Sequence, residues 1–256
     1  MKITTEQYLV DRAATLRNRA ALSNNVNLLY WYEQLYRDQF SIFVDSKRLA
    51  ILEIGSGVSP LQRFYPNAFT SDVMELDYVE YVFDAHQIDQ LHEVGNETLD
   101  VITLTNVLHH LEKPLEFLRH AVVKLKPGGR IIATEPYFSI LSTWIFKYLH
   151  HEAVNLAITQ PRLRDVQGPV TSANIALPWL IFFRRPQWRN EVLRDYDIES
   201  VRFFTSLAYM VTGGISRRIP MPHLLYRGLF QVDLFFSRLA RPLCASFFTV
   251  ILKRRS

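Results

Sequence analysis

Two clusters of side chains in this sequence could move a proton near neutral pH: His109-His110 and His150-His151-Glu152. An imidazole titrates close to neutrality, so either cluster could take the proton of an acceptor hydroxyl. The spacing of these histidines and acids matches no specific ligand motif, and no metal is expected. The other chemical feature is Ile51-Leu52-Glu53-Ile54-Gly55-Ser56-Gly57, an apolar β-type run that carries an acid and breaks into two glycines. Glycines let a backbone turn sharply and approach a ligand where a Cβ would collide, and a helix that follows offers free N–H groups at its start. That is a shelf for a cofactor. The third glycine of a dinucleotide loop is replaced by Pro60, which weighs against NAD. No G-x-x-x-x-G-K-[ST] follows, which weighs against ATP.

The elements that must position these groups are legible from periodicity. From Leu49 to Pro136 strands and helices alternate, which argues for a parallel sheet with right-handed crossovers. Residues 114–125 have an amphipathic helical period, and Pro127 is expected to stop that helix, with Gly128 and Gly129 supplying the positive φ of a turn. Residues 1–45 read as helical, with Tyr30, Trp31, Tyr32, Leu35, Tyr36, Phe40 and Phe43 at roughly helical spacing. After Pro136 a long excursion runs to about residue 195. Its first part, Ser139 to Glu152, reads as a helix carrying Trp144, Tyr148 and His151 near one face. A sixth strand near 198–204, a Gly213-Gly214 loop, a helix around His223 to Leu239 and a last strand over 246–252 complete the chain, with no internal repeat.

Motifs along residues 46–137 follow an order that strengthens the glycine signal. Glu53-x-Gly55-x-Gly57 resembles motif I of the class I S-adenosylmethionine-dependent methyltransferases, with Ser59 standing where many members carry a third glycine. Ala68-Phe69-Thr70-Ser71-Asp72 resembles that family's second strand, and Tyr81-Val82-Phe83-Asp84-Ala85-His86 its third. The run Leu99 to Leu111 resembles the fourth strand with its loop, and Leu125-Lys126-Pro127-Gly128-Gly129 the turn before the fifth. The resemblance implies an α/β fold: a doubly wound, mostly parallel seven-stranded sheet with an antiparallel last strand, N-terminal helices and a helical cap inserted after strand five. It implies one domain over 1–256, with a helical segment (1–45), a cofactor-binding core (46–137), a cap (138–195) and a C-terminal part completing the sheet (196–256).

The resemblance also implies S-adenosyl-L-methionine as cofactor, held by Glu53, Gly55, Gly57, Asp72, Asp84, Ala85 and Asn106. Asp72 would accept hydrogen bonds from the ribose hydroxyls, and Asp84 with Ala85 would read the adenine amino group. His109 and His110, after strand four, face methyl transfer in related enzymes. Glu135, at the end of strand five, would orient a histidine or bind the acceptor, and His151 would reach it from the cap. The expected activity is methyl transfer to a small-molecule, glycan or lipid-linked acceptor at oxygen. Alternatives are C-methylation of an aromatic or quinone-like compound, or a non-catalytic scaffold of the same fold.

Composition narrows the partners. The net charge is +4, and the basic groups Arg184-Arg185, Arg217-Arg218 and Lys253-Arg254-Arg255 adjoin apolar stretches, a pattern compatible with peripheral contact to anionic lipid. Zinc-finger spacing and dense basic helices are absent from the sequence, so nucleic acid is not an expected partner. No apolar run reaches the ~18 residues of a membrane span. The single Cys244 fits a reducing compartment and reads as a small core residue, and the first residues lack a secretory h-region. The expected location is the cytoplasm, with peripheral contact at the inner face of the membrane. Oligomeric state is not legible.

Overall fold

β-Branched and apolar residues dominate four runs that form the centre of the sheet: β1 (Ile51–Ile54), β2 (Ala68–Asp72), β4 (Leu99–Thr105) and β5 (Leu125–Pro136), with the two-residue β3 (Tyr81–Val82) at one edge. Near-continuous burial along such strands means that both faces of the sheet are covered. The computed structural model describes residues 4–148, 152–164, 166–215 and 219–255. Two further strands, β6 (Tyr196–Phe204) and β7 (Phe247–Arg254), complete a seven-stranded sheet of order β3-β2-β1-β4-β5-β7-β6. Pairs among β1 to β5 are parallel, and β7 runs antiparallel to both β5 and β6. The expected fold class is the one observed.

Side chains alternate between two cores. Leu52, Ile54, Ile102, Leu104, Ile131 and Ala133 face one, which also holds Phe117, Phe138, Ile145, Leu180 and Trp188. Apart from Phe138, in the loop after β5, the latter come from α4 (Pro114–Ala121), α5 (Ile140–Tyr148), α7 (Pro186–Val192) and the π-helical turn Leu180–Arg184 that continues the short α6 (Leu177–Trp179). Ile51, Val101, Ile132 and Ile251 face the other core, built on Leu28, Trp31, Leu35, Tyr226 and Phe230. These come from α2 (Val26–Phe40) and α8 (His223–Leu239). The helix α1 (Thr5–Ser23) precedes α2, α3 (Leu61–Phe64) follows the glycine loop, and α9 (Arg241–Cys244) follows α8.

Several local expectations need correction. The amphipathic helix ends at Ala121 rather than at Pro127. Lys124 is 2% exposed and its ammonium donates to Leu91 O, Val94 O and Asn96 Oδ1, while Leu125 already pairs with Leu99. A buried lysine satisfied by three acceptors fixes the chain in extended form before the proline is reached. Residues Lys126 to Gly129 then form an irregularity within β5, and only Gly128 has positive φ. The third strand stops at Val82, because Asp84 accepts from the His86 N–H and starts a 3-10 turn over Ala85–Gln90. The helix after the glycines is one turn long, so the shelf is made by the loop itself. The cap helix is observed over Ile140–Tyr148, and His150 and His151 lie outside the described residues, as do Arg217 and Arg218. Cys244, expected in the core, is half-buried in α9.

Candidate functional site

At the carboxyl ends of β1, β2 and β4 the sheet opens into a cavity of about 1120 Å3. Open α/β sheets bind ligands at this edge. A pocket for one small ligand spans roughly 300–1000 Å3, so the volume suits two occupants.

One end of the cavity is made by the glycine loop and the acids. Gly55 has φ +75°, and a Cβ there would lie 2.5 Å from Val107 Cγ2. Gly57 donates its N–H to Asp72 Oδ2 at 2.9 Å, and Met74 donates to Asp72 Oδ1 at 2.9 Å, so the Asp72 carboxylate locks the two loops together. Burial raises the Asp72 pKa against these hydrogen bonds. Asp84 is half exposed, and its Oδ1 accepts from both the backbone N–H and Nδ1 of His86, which holds its pKa below the usual value. His86 Nε2 in turn accepts from the Lys113 N–H at 3.1 Å, which fixes the neutral Nδ1–H tautomer. Ala85, Phe83 and Asn106 line the same end. Asn106 adopts φ +56°, and its buried Oδ1 has no hydrogen-bond partner.

Glu53 sits behind this wall rather than on it. It is 2% exposed, and Ser59 Oγ donates to its Oε1 at 2.5 Å while Oε2 has no partner. Burial pushes its pKa up to about 7. A carboxyl whose folded pKa lies above its unfolded value contributes stability that is present at low pH and lost as the pH rises through 7. Glu53→Gln is therefore expected to gain on the parent by about 2 kcal/mol between pH ~5.5 and ~8.5 in the absence of ligand. Urea midpoints at the two pH values measure the gain, and an unchanged gap between the two proteins contradicts it.

The other end holds the histidines. Glu135 is fully buried, and its Oε1 accepts the N–H groups of Val107 and Leu108 at 3.0 and 2.7 Å. A carboxylate so engaged can only accept, so His109 Nδ1 donates to Oε2 at 2.5 Å. His110 Nδ1 donates to the Ser172 carbonyl at 2.9 Å. The two rings lie 4.3 Å apart, and both Nε2 atoms approach Glu152, at 3.4 Å from His109 and 3.8 Å from His110. Burial alone would lower the pKa of His109, but the charge and hydrogen bond of Glu135, with Glu152, raise it to about 10. Burial and the neighbouring His109 lower that of His110 to about 4. Asn174 N donates to His109 O, and Leu163 N to Glu112 O, so the cap is tied to this loop.

The sequence-derived residues thus separate into a cofactor end (Gly55, Gly57, Asp72, Asp84, Ala85, Asn106) and a histidine end (His109, His110, with Glu135 supporting them from behind). Tyr32, noted for its helical spacing, lines the cavity, and sequence reasoning missed Thr15 and Tyr209, which also line it. It missed as well Arg19, whose guanidinium donates to Ser59 O at 3.0 Å and stacks on Tyr78. These residues come from distant helices and loops, and no spacing marks them.

A family model described as a methyltransferase domain matches residues 12–171, more than half of the chain. No curated protein matches the sequence. Among solved structures, a chain from the complex between the Haloferax volcanii Trm112 methyltransferase activator and a methyltransferase shares 10% identity over 96% of this chain and 97% of that chain, with TM-score 0.51. A SAM-dependent methyltransferase from Archaeoglobus fulgidus shares 15% identity over 86% and 94%, with TM-score 0.48. The N-methyltransferase NodS from Bradyrhizobium japonicum, solved with S-adenosyl-L-homocysteine, shares 12% over 92% and 91%, with TM-score 0.45. At 10% identity the first of these likenesses speaks for the fold alone. The cavity fits the cofactor on its own terms: two acids, an unpartnered amide oxygen and a loop with no room for a Cβ stand at one end, where S-adenosylmethionine would bring donors from its ammonium, ribose and adenine. The motif order, the sheet and the domain match together identify the chain as a member of the class I S-adenosylmethionine-dependent methyltransferases.

Proposed function

We propose that this enzyme methylates a hydroxyl of an amphiphilic, lipid-linked acceptor drawn from a membrane surface. The observation that carries the reading is an apolar groove of about 650 Å3 that shares Leu141 and Leu207 with the catalytic cavity. The groove is walled by Leu224, Leu225, Leu229, Val232 and Phe236 of α8 with Cys244 of α9. Among the described residues Asp233 is its one charged lining residue, and its carboxylate is consumed by the N–H groups of Ser206, Leu207 and Ala208. Leu224 is 82% exposed, and Ile140, Trp144, Phe235, Leu239 and Leu243 are exposed as well. Apolar surface of this extent marks an interaction site. The helices that wall it also carry Lys147, Arg227, Arg238 and Arg241, of which Arg238 pairs with Asp38, and this basic character suits an anionic lipid surface. Among the described residues no helix is long and apolar enough to cross a membrane, so contact would be peripheral.

Asp72, Asp84, Ala85, Asn106 and the glycine loop would hold the cofactor. S-adenosylmethionine supplies a methyl on a sulfonium, already activated for displacement. The protein's share is to align the acceptor, exclude water and accept a proton. Glu135 fixes the His109 ring, and the Ser172 carbonyl fixes that of His110, so that the Nε2 lone pair of His110 is offered at the acceptor end. The cytoplasmic face of a membrane is the matching location.

Incubation with methyl-labelled S-adenosylmethionine and a membrane extract tests the reading. Label should partition with lipid and be released as methyl iodide by hydriodic acid, which cleaves methyl ethers. Label resisting the acid would mean transfer to carbon or nitrogen and would overturn the hydroxyl, and label confined to water-soluble products would remove the lipid acceptor. Sedimentation with vesicles containing anionic lipid should be weakened by salt and by Leu225→Asp.

A further inference from the structure

We propose that His109 Nε2, His110 Nε2 and a Glu152 carboxylate oxygen form a binding site for one divalent transition-metal ion of the zinc or iron(II) class. The proposal rests on the methyltransferase reading, since it assigns the ion to the acceptor end of that cavity. All three ligating atoms lie within 4.8 Å of one another and all three residues line the cavity. Their separations are informative. Glu152 Oε2 stands 3.4 Å from His109 Nε2 and its Oε1 3.8 Å from His110 Nε2, so the carboxylate faces both rings, and a bound ion would displace the proton that His109 Nε2 carries towards it. Two ligands each about 2.0–2.1 Å from a tetrahedral ion lie about 3.3 Å apart, close to the 3.4 Å between His109 Nε2 and Glu152 Oε2, and the three ligating atoms would draw together from within 4.8 Å around the ion.

The surroundings have the form that metal-binding histidines require. A ligating imidazole donates its second nitrogen to a carboxylate or a backbone carbonyl, which fixes ring and tautomer. His109 Nδ1 donates to Glu135 and His110 Nδ1 to Ser172 O, one partner of each kind. Glu135 is itself fixed by two backbone N–H groups, so the support is rigid. Two histidines with one carboxylate is a donor set shared by catalytic zinc and by non-haem iron(II), and three protein ligands leave a position open towards the cavity.

That position would take the acceptor hydroxyl. A bound cation lowers the pKa of a coordinated hydroxyl: the O–H bond breaks, the electron pair stays on oxygen and the proton passes to solvent. The His110 lone pair then serves the ion rather than the proton.

Chelator-stripped protein titrated with Co2+ and followed by visible absorption tests the site, with Zn2+ displacing the cobalt. One equivalent should bind, with micromolar affinity, and raise the melting temperature. In His110→Ala and Glu152→Gln the affinity should fall at least ~100-fold and the thermal shift disappear, while exposed His92→Ala behaves as the parent. S-adenosylhomocysteine titrated into the same samples should bind Glu152→Gln as well as the parent. Absence of a one-equivalent cobalt spectrum, or a spectrum that survives both ligand variants, overturns the site and leaves imidazole as proton acceptor. Loss of S-adenosylhomocysteine binding by the parent would instead overturn the methyltransferase reading beneath it.

Discussion

His110→Ala is expected to slow turnover by about 10²–10⁴-fold while leaving S-adenosylhomocysteine affinity within about twofold of the parent. Its imidazole is anchored to Ser172 O and faces Glu152, whereas Asp84 is engaged with His86. Asp84→Ala should show the reverse. A carboxylate hydrogen-bonded to a ligand contributes about 1.5–3 kcal/mol, so its removal should weaken cofactor binding by about 10- to 100-fold. Asp84 also pairs with His86, whose second nitrogen holds the Lys113 N–H, so part of that loss would arise from a loosened turn. Calorimetric titration beside initial-rate measurement separates the two variants. Equal loss of cofactor affinity in both would remove His110 from the acceptor end.

Trp31→Ala should be among the most destabilising single changes in the chain, by about 3–5 kcal/mol, with a melting temperature lower by about 10 °C. Trp31 is fully buried, and its Nε1 donates to Thr205 Oγ1 at 3.0 Å. Its ring makes edge contacts with Tyr32, Tyr209 and Phe247 at centroid distances of 5.1, 4.9 and 5.1 Å, and all three of those residues line the cavity. The space left behind would lie under three residues of the cavity lining, so residual folded protein should also bind S-adenosylhomocysteine more weakly. Trp31→Phe, which keeps most of the volume, should recover most of the stability. Thermal melts of the two variants with and without ligand check both statements.

Legibility followed the range of the interactions. Strand β1 was readable because a buried parallel strand writes its burial into consecutive β-branched and apolar residues, while β2, which the family resemblance implied, is observed over the residues expected. The glycines were readable because Gly55 needs positive φ and Gly57 has no room for a Cβ beside Thr15 and Asp72. Lys124 fell within the expected helix because its three acceptors lie on another segment, Leu91 to Asn96, which no local period reveals. The convergence of Glu152 on His109 and His110 was equally hidden, since it depends on hydrogen bonds such as Asn174 to His109 O that fold the cap back onto the loop after β4. The groove was invisible for a different reason. Amphipathic periodicity in α8 shows that an apolar face exists, and only the packed structure shows that Tyr226 and Phe230 face the core while Leu224, Leu225 and Phe236 do not.

Crystallography of the protein with S-adenosylhomocysteine tests the account most directly. The adenosine should occupy the end of the cavity bounded by Gly55, Gly57 and Asn106, with the ribose hydroxyls on Asp72 and the adenine beside Asp84 and Ala85. Density for the ligand at the histidine end, or both carboxylates turned away from a ligand bound elsewhere, would contradict it.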